Sequence, residues 1–460
     1  MLVRRVLATA LAVSGVLWAS AGWLPSATAA APAGAVRTVR VGAGPGTPVV
    51  SGSRLFVANS GDGTVSVIDR ATLAIVKVIP VGANPSTPLA SADRVYVPLT
   101  GDSRLAVIDA ITLDVLTDIP VGPGPGTPAL AAAGGVLVVP NAQGNSVTLV
   151  DAATGIVTAT VPVGIHPGTP VAGTGDQYQS FINEVYVPNE GSGTVSIVDV
   201  IKAAVVTTVT VGAQPQEPAV SPALSGSALV YVSNKGSGTT TVFQQGTGQV
   251  LGQITTQSGP VHPGLNVDGR LVYIPNSVSG TVSVFGADAQ TVLRTLRVGR
   301  SPGAATESAD GGLVFVPNTG GATLSVIDAA KGQVAAIVRV GPHPTRPSVA
   351  GSTLYVSSAT RGTVTVVDLA LRLWPSAPRF VRAGSSPGSA VVTWQRPLAS
   401  GRARILKYYV WASNGRTCVT TRTFCRFGNL RRGARVSFEV RAVTSLAAGN
   451  ASFTRTVTVR

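Results

Sequence analysis

The chain has 460 residues, of which only 12 % are charged, too few for a solvated disordered polymer. Its 53 Gly and 32 Pro make up about 18 % of the chain, below the ~25–30 % of low-complexity disorder. Runs of Val and Thr broken by Gly and Pro indicate an all-β protein with tight turns, and a net charge of +15 turns attention to anionic partners.

Residues 1–29 have the pattern of an export signal. Arg4 and Arg5 precede a short apolar run from Val6 to Leu24, and Ala27-Thr28-Ala29 supplies small residues for cleavage. Gly15, Ser20 and Gly22 interrupt that run, so no transmembrane segment is expected. The expectation is a secreted protein, free or held non-covalently at the cell envelope.

From Val36 to Trp374 the chain repeats itself. The landmark V-G-x-x-P occurs at Val41-Gly42, Val81-Gly82, Val121-Gly122, Val163-Gly164, Val211-Gly212, Val298-Gly299 and Val340-Gly341, with a degenerate "SGPVHPG" from Ser258. Those eight units start 40 to 48 residues apart, the period of a solenoid or propeller. In the fourth unit, strands are expected at Thr169–Ala172, Val185–Asn189, Thr194–Asp199 and Val205–Val211, from their alternation of apolar and polar residues. Four such strands cannot bury both faces of their own sheet, so neighbouring sheets must stack on them. Before the first unit, "AVRTVRVG" matches the outer strand "VLRTLRVG" of the sixth. The eighth unit lacks an outer strand of its own, and Val36–Val41 is expected to complete it and latch a ring.

The phrases "VYVPN", "GTVSVID" and "IPVG" resemble the YVTN β-propeller repeat. The resemblance implies a propeller with extracellular binding roles. Relatives commonly have seven blades, whereas the landmarks give eight, so a seven-bladed alternative stays open. Asn59, Asn141, Asn189, Asn234, Asn276 and Asn318 end the second strand, where a turn or left-handed backbone is expected. Asp69, Asp109, Asp151, Asp199, Asp328 and Asp368 end the third strand and are expected to support the following turn. Phe56, Tyr96, Tyr186, Tyr231, Tyr273, Phe315 and Tyr355 share one second-strand position and are expected between blades.

The three histidines, His166, His262 and His343, each precede a proline in the inter-blade loop. Strand order puts that loop at one mouth of the central channel. There His166, Gln214, Glu217, His262, Arg300, His343 and Arg346 form a candidate ligand-binding face, with Lys235 and Arg361 nearby. A shared zinc site needs all nitrogens near ~2 Å from one ion. Histidines on alternate blades do not meet that demand, so no metal is expected. No cofactor and no catalytic residue is expected either, for phosphate loops, nucleophile elbows and HExxH are lacking. An insertion at Gly173–Asn183 carries Tyr178 and Phe181 toward the opposite face, to meet a partner or cover its own blade.

After Pro375 the period changes. "AVVTWQRP", "ILKYYVWAS", "ARVSFEVRAV" and "ASFTRTVTV" read as strands of a small β-sandwich. Trp394, Tyr408-Tyr409 and the Leu430–Gly433 "L-x-x-G" come in an order that resembles a fibronectin type III module over Ser376–Arg460. Cys418 and Cys425, in an oxidising compartment, are expected to pair; they also resemble the hairpin disulfide of some bacterial versions. From Pro375 onward 15 Lys and Arg face one acidic residue, Glu439, a net +14, whereas Ala30–Trp374 has 18 basic and 19 acidic residues, a net −1. Arg402, Arg404, Arg416, Arg422, Arg426, Arg431, Arg432 and Arg435 form the densest basic stretch, the candidate polyanion-binding surface.

The functional expectation is a monomeric, non-enzymatic binding or scaffold protein, its propeller meeting an unknown protein or envelope component. Its basic module would adhere to an anionic cell-wall polymer or other polyanion. Two alternatives stand beside it: a lyase, lactonase or other hydrolase at the histidine-bearing mouth, and extracellular nucleic-acid binding through the arginine-rich module.

Overall fold

A computed structural model describes residues 36–131, 135–174, 183–221, 228–266, 269–287, 291–369, 375, 377–397, 404–444 and 447–460. The export signal, the Tyr178 and Phe181 insertion, Trp374 and Arg402 lie outside the described residues.

Among the described residues, the repeat folds into eight four-stranded antiparallel units in chain order. The fourth runs Val171–Ala172, Glu184–Asn189, Thr194–Asp199 and Ala204–Thr210, within two residues of the sequence expectation. The two middle strands of each unit are buried along nearly their whole length because a neighbouring sheet covers each face. A β-bulge recurs between the third and outer strands, at Ile197/Val198 in this unit, and adds local twist.

Each pair of consecutive units shares an apolar core. Phe56 and Val67 of the first pack with Val95 and Val97 of the second, and the later aromatics fill the same place between later sheets. The series closes on itself: Tyr355, Val364 and Val366 of the eighth unit pack on Leu55, Val57 and Ile68 of the first. Val36–Arg40 pairs antiparallel with Thr363–Asp368, from Val36 opposite Val367 to Arg40 opposite Thr363. The chain's beginning therefore supplies the outer strand of its last unit. Radial sheets joined into a closed ring make a β-propeller.

The repeated polar residues hold this frame, though one set does so differently from expectation. The second-strand asparagines are fully buried and are absent from the residues with positive φ. Each instead bonds across its hairpin: Asn189 Nδ2 donates to Thr194 Oγ1 at 3.0 Å and Ser196 Oγ at 3.0 Å. The strand ladder fixes an extended backbone, so the amide serves by side-chain bonding and not by turn conformation. Asp69, Asp109, Asp151 and Asp199 act as expected. Asp69 Oδ1 accepts from the backbone N–H groups of Ala71 and Thr72, and the same pair of bonds recurs at Asp109, Asp151 and Asp199.

The C-terminal segment forms a sandwich. One sheet orders Arg379–Ser386, Ser389–Gln395 and Phe424–Phe427; the other contains Ala447–Phe453, Phe438–Thr444, Ile405–Ala412 and Thr417–Thr420. Trp394, Tyr408, Phe427, Phe438 and Leu430 fill the space between them. Cys418 and Cys425 are bonded and tie an edge strand of one sheet to an edge strand of the other.

The sandwich also joins the ring, a connection that sequence reading did not anticipate. Ala447–Phe453 pairs with the seventh unit's outer strand, Gln333–Arg339, at Ile337↔Ala448 and Val338↔Ala447, making one eight-stranded sheet. Arg441 Nη1 donates to the Val334 carbonyl at 2.8 Å. Val334, Ala335, Ala336 and Val338 are buried there, whereas Ile75, Val76 and Val78 on the first unit's outer strand are exposed.

Candidate binding sites at the channel mouth and on the sandwich

The mouth is built from one loop used eight times. In each loop a proline bridges to the last residue of the same unit's second strand: Pro45 to Asn59, Pro167 to Asn189, Pro215 to Asn234, Pro260 to Asn276 and Pro344 to Ser358 among them. The residue before that proline is left-handed in every unit, as Gly44, Asn84, Gly124, His166, Gln214, Gly259, Ser301 and His343. His166 and His343 thus fill a turn position that elsewhere takes Gly, Asn, Gln or Ser, and both are exposed.

His262 does not belong with them, which corrects the sequence reading. Its loop has two prolines, and the one that bridges is Pro260. His262 therefore stands two residues after the bridge, the place of Thr47, Thr87, Thr127, Thr169, Glu217, Ala304 and Arg346 in the other units. Contacts show where that place points. Arg346 Nη1 lies 2.8 Å from Glu217 Oε1, and His262 Nδ1 lies 3.3 Å from Glu217 Oε2. Glu217 enters the fifth unit and Arg346 the eighth, three sheets apart around the ring. Such side chains meet only across the channel. The rim is consequently lopsided, with threonines on units one to four and the charged triad on units five, six and eight.

A second polar pair adjoins the triad. Glu190 Oε1 accepts from Gln216 Nε2 at 2.8 Å, and its Oε2 lies 3.5 Å from His166 Nδ1. Sequence reading missed Glu190 and Gln216. The available signal was Glu190 itself, the one acidic residue in a turn where other units carry Ser60, Thr100, Ala142, Lys235, Ser277, Thr319 and Ala359. Arg300, Arg361, Lys235 and Gln214 are exposed around the rim.

Enclosure and charge set the ionisation states. Although 32 % of the His262 side chain meets solvent, its Nδ1 is buried. Burial pushes its pKa down, helped by Arg346 and Lys235 and opposed by Glu217 and Glu190. Burial acts to raise the Glu217 pKa, but Arg346 and His262 outweigh it and hold the carboxyl below its ordinary range. At neutral pH the triad is a guanidinium, a carboxylate and a neutral imidazole. Glu217 is committed to Arg346, which leaves it a poor free base. The three histidines do not converge, and among the described residues no group of three or more His, Cys, Asp and Glu side chains gathers as a metal site.

On the sandwich, Arg404, Arg416, Arg422, Arg426, Arg431, Arg432 and Arg435 are all exposed. Arg422 and Arg426 lie in and beside the Phe424–Phe427 strand, Arg416 donates to the Gly428 carbonyl, and Arg435 pairs with Thr458 in a short ribbon. These positions spread the charge over a sheet face and one end, a surface for an extended anion rather than a pocket.

No family model and no curated protein matches the chain, but many solved structures do. The computationally designed Ika8 protein is 17 % identical with TM-score 0.60, over 72 % of this chain and 97 % of that one. BamB from Moraxella catarrhalis is 16 % identical with TM-score 0.58, over 73 % and 99 %. Dihydro-heme d1 dehydrogenase NirN in complex with DHE is 14 % identical with TM-score 0.56, over 85 % and 79 %. At such identities the likeness supports the β-propeller fold alone.

Proposed function

We propose that this chain is an exported, non-enzymatic binding and scaffold protein of the cell envelope. In this reading an eight-bladed YVTN-type propeller presents its channel-mouth loops to a partner, and a fibronectin type III-like sandwich adheres to an anionic surface. The sheet order of the sandwich, three strands facing four, supports the module's assignment. The observation that carries the function is the segregation of charge, with a net +14 on the sandwich segment against −1 on the repeat segment. Exposed arginines attract a polyanion through long-range fields and release its counterions. Because Ala447–Phe453 continues the seventh sheet, a surface gripped by the sandwich would hold the propeller in a defined orientation.

The test is retention of the full chain on beads carrying an anionic wall polymer, with neutral dextran as reference. Retention is expected to fall steadily with rising salt. Arg431→Gln with Arg432→Gln and Arg435→Gln is expected to weaken it about tenfold or more at low salt, from the loss of three phosphate-type contacts. Retention unchanged in 1 M salt would overturn the electrostatic mechanism. A second reading, a lyase or hydrolase at the mouth, draws on the Glu217–His262 contact. Activity lost in both His262→Ala and His343→Ala would favour it. Nucleic acid is the remaining polyanion to compare on the same beads.

A further inference from the structure

We propose that the outer face of the three-stranded sheet in the sandwich carries a site for a uronic-acid residue of an acidic polysaccharide. This rests on the polyanion reading above and names a ligand class for it.

The site begins with a distortion. The pairing of Arg379–Ser386 with Ser389–Gln395 shifts register between Arg379 and Arg382, and Phe380 inside that bulge has φ 50. A bulky residue rarely adopts this conformation, and here it turns an aromatic ring outward, 63 % exposed. The Arg379 guanidinium lies 5.7 Å from the ring centre. Beside the ring is a shallow cleft of about 340 Å³ lined by Phe380, Arg382, Thr393, Trp394 and Gln395.

The donors of that cleft stand on the outer face. Trp394 borders it, but its ring packs in the core 5.2 Å from the Tyr408 ring and its Nε1–H is buried. The exposed side chains of Arg382, Thr393 and Gln395 supply the donors. No carboxylate lines the cleft, and the one acidic residue of this segment, Glu439, belongs to the other sheet.

The surrounding face continues the theme. Arg382 is paired with Thr393, and Thr393 with Phe424, so the three stand in a row across the sheet. Arg422 lies 5.6 Å from the Phe424 ring centre, and Arg426 is two register steps away on the same face, opposite Val391. Donors, cations and exposed aromatic rings together select an anion rich in acceptors that also has a flat apolar face. A uronate has all three attributes: its C–H face stacks on Phe380, its carboxylate takes the Arg382 fork, and its hydroxyl oxygens meet Thr393 and Gln395. A shallow cleft on an open sheet suits a chain lying across it, with later carboxylates at Arg422 and Arg426.

The test is calorimetric titration of the full chain with an oligogalacturonate hexamer, maltohexaose, polyphosphate and oligo(dT). The hexamer is expected to saturate one site and bind at least tenfold more tightly than polyphosphate of equal charge, with no binding of maltohexaose. Phe380→Gly removes the ring at a backbone position that glycine prefers, so the sandwich keeps its melting temperature while hexamer affinity falls tenfold or more. Arg382→Gln is expected to do likewise, with polyphosphate retention unchanged in both variants. Arg431→Gln with Arg432→Gln instead weakens all the polyanions together. Hexamer binding no tighter than polyphosphate, or unaffected by Phe380→Gly, overturns the uronate site while leaving salt-dependent adhesion standing. Tighter, Phe380-dependent binding of oligo(dT) overturns it in favour of nucleic acid. If no polyanion binds, both readings fall.

Discussion

The propeller and the sandwich cover their sheets in opposite ways. In the ring, a core cluster, a buried amide and an aspartate-supported turn recur from unit to unit, so the same few contacts are made many times. In the sandwich one core, one disulfide and one ribbon are each made once. Repetition spreads stability and leaves the rim loops free to vary, as the lopsided channel mouth shows. A single-copy body has no such reserve. The ring has its own single-copy element, the latch, and there the difference between the two regions should vanish.

Deleting residues 36–40 is therefore expected to have the largest effect. It removes a five-residue ladder worth about 3–5 kcal/mol at ~1 kcal/mol per bond, and calorimetry should show the propeller transition falling while the sandwich transition stays. An unchanged propeller would mean that closure does not depend on the latch. Next comes Cys418→Ser with Cys425→Ser. With a sequence separation of 7, loss of that crosslink should cost the sandwich roughly 2–3 kcal/mol, measured by urea unfolding, with the propeller unaffected.

Asn189→Leu tests the repeated polar bond. It leaves the Ser196 hydroxyl short of a partner and should cost about 1–3 kcal/mol, most of it recovered on adding Ser196→Ala. The second unit already contains this solution, for Leu99 and Ala106 occupy those two positions and both are fully buried. Failure of the double variant to recover would show that the amide also serves the adjoining Gly164, which packs closely on it.

The smallest effects concern pH. The His262 pKa is lowered from its ordinary 6.5, so on acidification the unfolded chain takes up that proton first. Stability should decline as pH falls from about 6.5 to the lowered value and then level off, and His262→Gln should flatten this part of a melting-temperature profile. Asp69, Asp109 and Asp151 have pKa values lowered from 3.8, chiefly by backbone N–H donors at Thr72, Thr112 and Thr154. Their contribution is complete above that pH and is lost only as pH falls through the lowered values. A profile flat from pH 7 to 5 in the unaltered protein would count against an enclosed His262.

Much of the frame was legible because a repeat states its own register. The strand pattern of Val171–Thr210, the inter-sheet aromatics and the match between residues 35–42 and an outer strand needed only periodicity. The channel mouth was less legible. His166 and His262 look alike in one dimension, each followed by proline, yet the bridge made by Pro260 places them differently. Meeting of Glu217 with Arg346 depends on ring geometry, which brings residues 129 positions apart to one axis. Phe380 gave no signal, since a bulge depends on how two strands register and not on local residue preference.

Sequence alone determined the all-β class, the repeat period, the latch strand and the separation of charge, because alternation, turn residues and net charge are local or additive properties. Tertiary structure decided which rim side chains share the channel, that the sandwich extends the seventh sheet, and that a bulge leaves the Phe380 ring exposed beside Arg382. Those facts depend on distances between remote residues and on what covers each face, and both exist only once the sheets have packed.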